Sequence, residues 1–307
     1  MPLPALEVSN LVMSYGDRTV VDDVSFTVNP GTIAVILGPN GAGKTTAVES
    51  CEGLRTPNSG TVTLLGYDRV RDDAEIRNRV GVMLQDGGLP QAVKAGDVLA
   101  HIARLHKNPR NVSELLDTLD LTEHAGTRVR HLSGGQRQRL SLACAIVGNP
   151  ELVFLDEPSA GMDPASRRTM HALVRSLANS GTTVVLTTHL MDEAEILADQ
   201  VIVMRNGRIV ADGRSTGLLG GRSIWIESDA TDSRGIESIE RLLSSQLTGF
   251  QYRRKDDRLE VFTEGSATTA DLTKVATLLE RERILDVSVA LRSRSLEDLY
   301  FDLVETK

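Results

Sequence analysis

The residues best suited to do chemistry form one short run, Gly38-Pro39-Asn40-Gly41-Ala42-Gly43-Lys44-Thr45-Thr46. It fits G-x-x-x-x-G-K-[ST], a loop whose backbone wraps phosphates. Glycines let a chain close around an oxyanion with no side chain in the way. A helix start adds unpaired N–H groups and partial positive charge. Lys44 supplies a full positive charge for the outer phosphates, and the Thr45 hydroxyl stands where Mg²⁺ would be held. The elements that must present such a loop are both readable. Ile33–Leu37 is a short apolar run, read as a buried strand, and Thr45–Leu54 places Val48 and Cys51 on one helix face. An ordinary Gly-rich turn is the plain alternative, and the strand-to-helix setting argues against it.

A second helix start of similar character lies further on. Leu132-Ser133-Gly134-Gly135-Gln136 precedes a run with Leu140, Ala143, Cys144 and Val147 on one face. Ser133 is a good N-cap, and two glycines expose backbone N–H groups at the helix start. Here the sequence resembles the ATP-binding-cassette (ABC) ATPases, whose signature is Leu-Ser-Gly-Gly-Gln. The resemblance covers about residues 5 to 215 and finds the family's other motifs in order.

The resemblance implies roles residue by residue. The whole run from Gly38 to Thr46 would bind ATP, with Lys44 on the outer phosphates. Asp156 and Glu157 end the apolar run Leu152-Val153-Phe154-Leu155, and strand alternation points them in different directions. Asp156 would hold Mg²⁺ through water, together with Thr45, and Glu157 would polarise the attacking water. Phosphoryl transfer needs that division between a metal and a group that orients the nucleophile. His189, after Thr187-Thr188, matches the family's switch histidine, which contacts the terminal phosphate and the general base. Gln85 would ligate Mg²⁺ or the attacking water and pass the nucleotide state to a partner. Tyr15 stands where the family stacks an aromatic on adenine, a contact that fixes the base without reading it strongly. Ser159-Ala160-Gly161-Met162-Asp163 matches the dimer-contact loop. Ser133, Gly134, Gly135 and Gln136 would grip the ATP held by a second copy.

The rest of the chain supplies the frame. Residues 5 to 30 read as strands with turns, and Thr61–Leu65 and Arg79–Leu84 as further strands. Residues 88 to 150 change to helical spacing, with Val98, Ile102 and Leu105, then Leu115, Leu116 and Leu119. Asp163-Pro164 caps and starts a helix with Met170, Leu173, Val174 and Leu177 on one face. Thr182–Thr187 and Val201–Met204 are strands. This rhythm predicts an α/β core with a mostly parallel sheet. By resemblance it is a P-loop nucleotide-binding domain with an antiparallel β subdomain and a helical subdomain. A boundary near Leu219-Gly220-Gly221-Arg222 divides residues 1–220, the ATPase domain, from residues 221–307. The latter read as strand, helix, hairpin, helix, strand and a final helix, the order of a small α+β ferredoxin-like module.

Composition sets outer bounds. The chain has 307 residues and a formal net charge of −8, which argues against nucleic acid as the main partner. No run approaches the length of a bilayer-spanning helix, and the start, Met1–Glu7, lacks an export signal. Cys51 and Cys144 read as core thiols in a reducing cytosol. The resemblance then implies an ATP hydrolase at the cytoplasmic face of a membrane, with a second ATP-binding subunit and an integral membrane permease as partners. Ser295-Leu296-Glu297-Asp298-Leu299-Tyr300 looks like the ending of drug- and lipid-type exporter subunits, the daunorubicin-resistance class. Asp86-Gly87-Gly88-Leu89-Pro90 lacks an aromatic that many relatives carry, which bears on the permease contact. Two other readings stay open: a non-transport ABC ATPase of DNA repair or translation, and a nucleotide-sensing scaffold with little turnover. The first would need a coiled-coil insertion, zinc cysteines or tandem cassettes, none of which is present; Glu157 and His189 argue against the second.

Overall fold

Runs of apolar, often β-branched residues set the strands, and their burial patterns tell which sheet each enters. The computed structural model describes residues 3–83, 88–218, 221–228, 233–255, 258–263, 265–293 and 295–305. The chain opens with β1 (Leu6–Tyr15), β2 (Arg18–Val28), β3 (Ile33–Leu37), helix α1 (Lys44–Glu52), β4 (Ser59–Leu64) and β5 (Tyr67–Asp68). A one-turn helix, α2 (Asp73–Ile76), leads to β6 (Val80–Met83). Helices α3 (Ala95–Ala103), α4 (Val112–Thr118) and α5 (Gly134–Ile146) then precede β7 (Leu152–Asp156). After β7 come α6 (Pro164–Asn179), β8 (Thr183–Thr188), α7 (Met191–Leu197), β9 (Gln200–Arg205), β10 (Arg208–Arg214) and the short α8 (Ser215–Leu218).

Two compact units emerge, Met1–Ser215 and Thr216–Lys307. In the first, a six-stranded sheet runs β10-β9-β3-β8-β7-β6. Its pairs from β9 to β6 are parallel, and only β10 returns antiparallel on β9. Strands β3, β7 and β8 are buried at every position, as parallel strands covered on both faces must be. A second, antiparallel sheet has the order β2-β1-β4-β5. The apolar face of α1 fills the space around both: Ala47, Val48 and Cys51 share one core with Leu6, Leu64, Ile36 and Phe154.

The helical stretch between β6 and β7 forms as the spacing predicts, with one difference. Helix α3 ends at Ala103, and Leu105, read as part of its apolar face, is 67% exposed beyond it. Cys51 lies in the core, where burial raises its thiol pKa; Cys144 is only half-buried, its thiol pushed up to about 12 by desolvation. Among the described residues, no helix is long and apolar enough to cross a membrane.

The second unit carries β11 (Arg222–Ser228), α9 (Ser233–Gln246), β12 (Gln251–Lys255), β13 (Arg258–Phe262), α10 (Thr269–Arg281), β14 (Val287–Ser293) and α11 (Leu296–Glu305). Its sheet is antiparallel throughout, in the order β12-β13-β11-β14. That is the ferredoxin-like arrangement the β-α-β-β-α-β order predicts. Ile224, Ile226, Leu259 and Val261 meet Ile236, Ile239, Leu243, Val275 and Leu279 of the helices in a core of its own.

Candidate functional site

The loop between β3 and α1 has its shape fixed by two glycines. Gly43 is the α1 N-cap at φ 99°, a left-handed backbone, and a Cβ there would stand 2.5 Å from the Val20 carbonyl oxygen. At Gly38 a Cβ would stand 2.3 Å from the Met204 carbonyl oxygen. Both positions exclude any side chain without backbone movement. No side chain caps α1, and its first turn holds no acidic residue, so the positive end of the helix faces the loop. Pro39, Asn40 and Gly41 are exposed, whereas Gly38 and Ala42 to Lys44 are buried and Thr45 and Thr46 half-buried. Lys44 Nζ donates to the carbonyls of Gly38 at 2.8 Å and Pro39 at 3.2 Å. Burial lowers its pKa, opposed by the nearby carboxylates of Glu157 and Asp156.

The end of β7 lies beside this loop. The Thr45 hydroxyl stands 3.5 Å from Asp156 Oδ1, and the Thr187 hydroxyl of β8 donates to the same oxygen. Asp156 is 4% exposed, and desolvation raises its pKa; the Thr187 and Thr45 bonds and Lys44 oppose the rise, and Glu157 adds to it. A hydroxyl and a buried carboxylate are hard oxygen donors, the set that suits Mg²⁺, and a cation there would favour the ionised carboxylate that burial disfavours. The chemistry of the donors therefore fits the ion.

Glu157 leaves the strand. The alternation read from the sequence does not set its direction, because β7 ends at Asp156 and Glu157 has φ 45°. A non-glycine residue in this region costs about 1–2 kcal/mol, so the surroundings must hold it. They do so at three points. Its N–H bonds the Thr187 hydroxyl at 3.1 Å and the Thr187 carbonyl at 3.2 Å, and its own carbonyl accepts from Gln138 Nε2 at 2.9 Å. The bend brings Glu157 Oε1 to 3.2 Å from His189 Nδ1. Lys44, Thr45, Asp156, Glu157 and His189 thus form one cluster, built from the start of α1, the end of β7 and the residues just after β7 and β8.

Ser133 to Gln136 lie at the start of α5. Ser133 Oγ accepts from the Gln136 N–H at 3.2 Å, and Gln136 Oε1 accepts from the Ser133 N–H at 2.8 Å, a reciprocal capping box. Gln136 Nε2 lies 2.8 Å from His124 Nε2, which braces the cap. A Cβ at Gly134 would meet nothing within 4 Å, whereas at Gly135 it would lie 3.6 Å from the Gly161 carbonyl. The segment Ser159–Asp163 therefore adjoins the start of α5 in the same chain. Asp163 caps α6 through the Ala165 and Ser166 N–H groups, with Pro164 in the first turn.

Tyr15 ends β1 and is 44% exposed, with the Arg55 guanidinium 5.3 Å from its ring centroid. Gln85 lies outside the described residues. Several contributors were invisible in the motif reading: Thr187, Gln138 and His124 hold the functional groups through long-range contacts. Gln138, at the second residue after Gln136, was the most findable, because it shares the first turns of α5 with the cap.

Comparisons with known proteins point to one family. A family model described as ABC transporter matches residues 21–160. The chain is 33% identical over 319 residues to a daunorubicin resistance ATP-binding protein of Streptomyces coeruleorubidus, covering 97% of this chain and 95% of that one. It is 33% identical over 308 residues to a Nod factor export ATP-binding protein of Ralstonia nicotianae, covering 96% of each. Among solved structures, an ATP-binding subunit of an ABC transporter superposes with TM-score 0.65 at 26% identity, covering 70% of this chain and 91% of that one.

Proposed function

The chain belongs to the ABC transporter family as an ATP-binding and ATP-hydrolysing subunit, and from that premise we propose that it drives an exporter through a separate membrane permease. Relatives named for daunorubicin resistance and Nod factor export support the outward direction. Two copies face head to tail at the cytoplasmic side of the membrane, with no nucleic acid involved. The loop from Gly38 to Thr46 of one copy and Ser133 to Gln136 of the other enclose one ATP. Tyr15 stacks on its base. Residues 1–220 act as the ATPase domain and residues 221–307 as an accessory domain.

The observation that carries the two-copy reading is Gly134. Gly134 is the first residue of α5, and no positive φ requires a glycine there. Apart from its chain neighbours and the backbone of its own helix, nothing among the described residues lies within 4 Å of where a Cβ would be. The missing side chain therefore serves something that approaches from outside, and an exposed helix start with no first-turn acid suits an anion.

Within the cluster the division of labour follows from position. Lys44 neutralises the outer phosphates. Thr45 and Asp156, joined by Gln85, would hold Mg²⁺, which when bound would supply positive charge against the phosphates. Glu157 accepts a proton from, or orients, the attacking water, and His189 steadies Glu157 from 3.2 Å. Closure of the second copy over the site excludes water and strengthens each charge interaction. Hydrolysis then removes the anion that holds the two copies together. Removing the general base lowers turnover by about 10²- to 10⁴-fold. Glu157→Gln is therefore expected to retain ATP, to abolish steady-state phosphate release and to form a stable ATP-dependent dimer by light scattering. Turnover at the wild-type rate, or a monomer at saturating ATP, would refute the assignment.

A further inference from the structure

Tyr15 has a companion that none of the motifs accounts for. Helix α1 ends at Gly53, whose φ of 79° is a left-handed backbone that favours glycine and turns the chain back on itself. The Leu54 and Arg55 N–H groups then both reach the Glu49 carbonyl, at 2.9 and 3.2 Å. The Arg55 Nε donates to the carboxylate of the same Glu49. Arg55 is thereby held, at backbone and at side chain, by one residue of α1. Its guanidinium carbon lies over the Tyr15 ring, 5.3 Å from the centroid. The residues that follow are stitched to the strand that carries this ring. The Asn58 N–H donates to the Val12 carbonyl at 2.9 Å, and the Ser14 N–H donates to Asn58 Oδ1 at 2.7 Å.

As stabilisers these side-chain contacts count for little. The Arg55 side chain is 40% exposed and that of Glu49 24%, and exposed ion pairs and exposed cation–π contacts are both weak. Their effect is to order a ring. A tyrosine at the end of a strand, itself 44% exposed, has rotamers to lose when a base stacks on it. A guanidinium over one face limits those rotamers beforehand. The anchor, Glu49, belongs to the helix that Lys44 begins, so the ring and the phosphate loop are referred to one rigid element. Resting on the reading of Tyr15 as the base-stacking residue, we propose that Arg55 is a positioning residue for the nucleotide base. Pinned to α1 by Glu49, it backs the Tyr15 ring, so that the base stacks on the opposite face while the triphosphate sits at the start of the same helix. It acts on the base through Tyr15 and does nothing for the phosphates.

The test separates base from phosphates. Binding of Mg-ATP and of inorganic tripolyphosphate, which has no base, is measured by calorimetry on the full chain, with steady-state ATPase kinetics alongside. Arg55→Met keeps the stem and drops the charge. It should weaken ATP binding and raise KM about two- to fivefold, with kcat and tripolyphosphate binding unchanged. Glu49→Gln, which loosens Arg55 without removing it, should do the same to a smaller degree. Tyr15→Ala should weaken ATP more than either and leave tripolyphosphate alone, and Arg55→Met should add nothing on top of it. Unchanged ATP affinity in Arg55→Met would overturn the proposal. So would tighter ATP binding, because the guanidinium would then sit where the base must go, or an equal weakening of tripolyphosphate, or losses that add in the double variant. If Arg55→Met does not fold, Glu49→Gln decides by the same comparison. A Tyr15→Ala chain that binds ATP as wild type does would instead sink the base-stacking reading, and the proposal with it.

Discussion

The N-termini of α1 and α5 share a sequence idiom and differ in construction. α1 follows glycines and α5 begins with two, and neither first turn contains an acid. At α1 the cap is Gly43, left-handed and pressed against the Val20 carbonyl, with no side chain capping the end. At α5 the cap is Ser133, completed by Gln136 and braced by His124, while Gly134 faces open space. The first glycine is demanded by the chain itself. The second is not required by contacts within the fold. One end is thus a receptacle formed by folding, and the other, on the proposed reading, a rigid platform that a second copy would complete.

That contrast can be broken by substitution. Gly43→Ala forces a Cβ into backbone at a strained φ, which should cost about 1–3 kcal/mol from the dihedral alone, more with the clash. The expected outcome is loss of ATP binding together with a lower melting temperature, read by nucleotide titration and thermal melting. Gly134→Ala should do the reverse to stability, leaving it unchanged or raising it by less than the ~0.5–1 kcal/mol of a helix interior. Its ATPase rate should nonetheless fall by about tenfold or more through loss of a close anion contact. If both variants lose stability alike, the two ends are not built for different purposes. Gln138→Leu cuts the tie between α5 and the Glu157 carbonyl. A bond of this kind contributes about 0.5–1.5 kcal/mol, so kcat should fall by a few-fold with ATP affinity retained.

The smallest effect concerns the far end of α1, whose burial extends even to a carboxyl. Glu52 is 6% exposed, and desolvation, with Asp156 and Glu49 nearby, pushes its pKa to about 8 despite Arg69. The folded state therefore keeps a proton that the unfolded chain has lost. Stability from this group is full below its unfolded value near 4.5 and declines as pH rises towards about 8. Glu52→Gln removes the decline. Its melting temperature should exceed wild type by about 3–6 °C at pH 8.5 and by less at pH 5.5; an equal shift at both values would show that the carboxyl is already ionised in the fold.

Much of this was legible in sequence because it is local. The strand before Gly38, the Ser133 cap, the Asp163-Pro164 start and the ferredoxin-like order each follow from neighbours along the chain. What escaped is non-local or conformational. Strand periodicity cannot show that Glu157 steps off β7 at φ 45°, since only the Thr187 and Gln138 contacts make that backbone tolerable. Leu105 continued a helical spacing that the chain itself stopped at Ala103. Glu193 is buried, yet it sits in the charged run Met191-Asp192-Glu193-Ala194-Glu195, which reads as a solvated face. Its spacing of four from buried Leu197 was the one available hint.

Lys44 already grips the carbonyls of Gly38 and Pro39, so the loop is a latch held by its own pin. On the proposed reading, a phosphate arriving there would not fold the loop; it would compete for a cation that already has two acceptors, so that its capture is an exchange of hydrogen bonds on a loop whose shape is set beforehand.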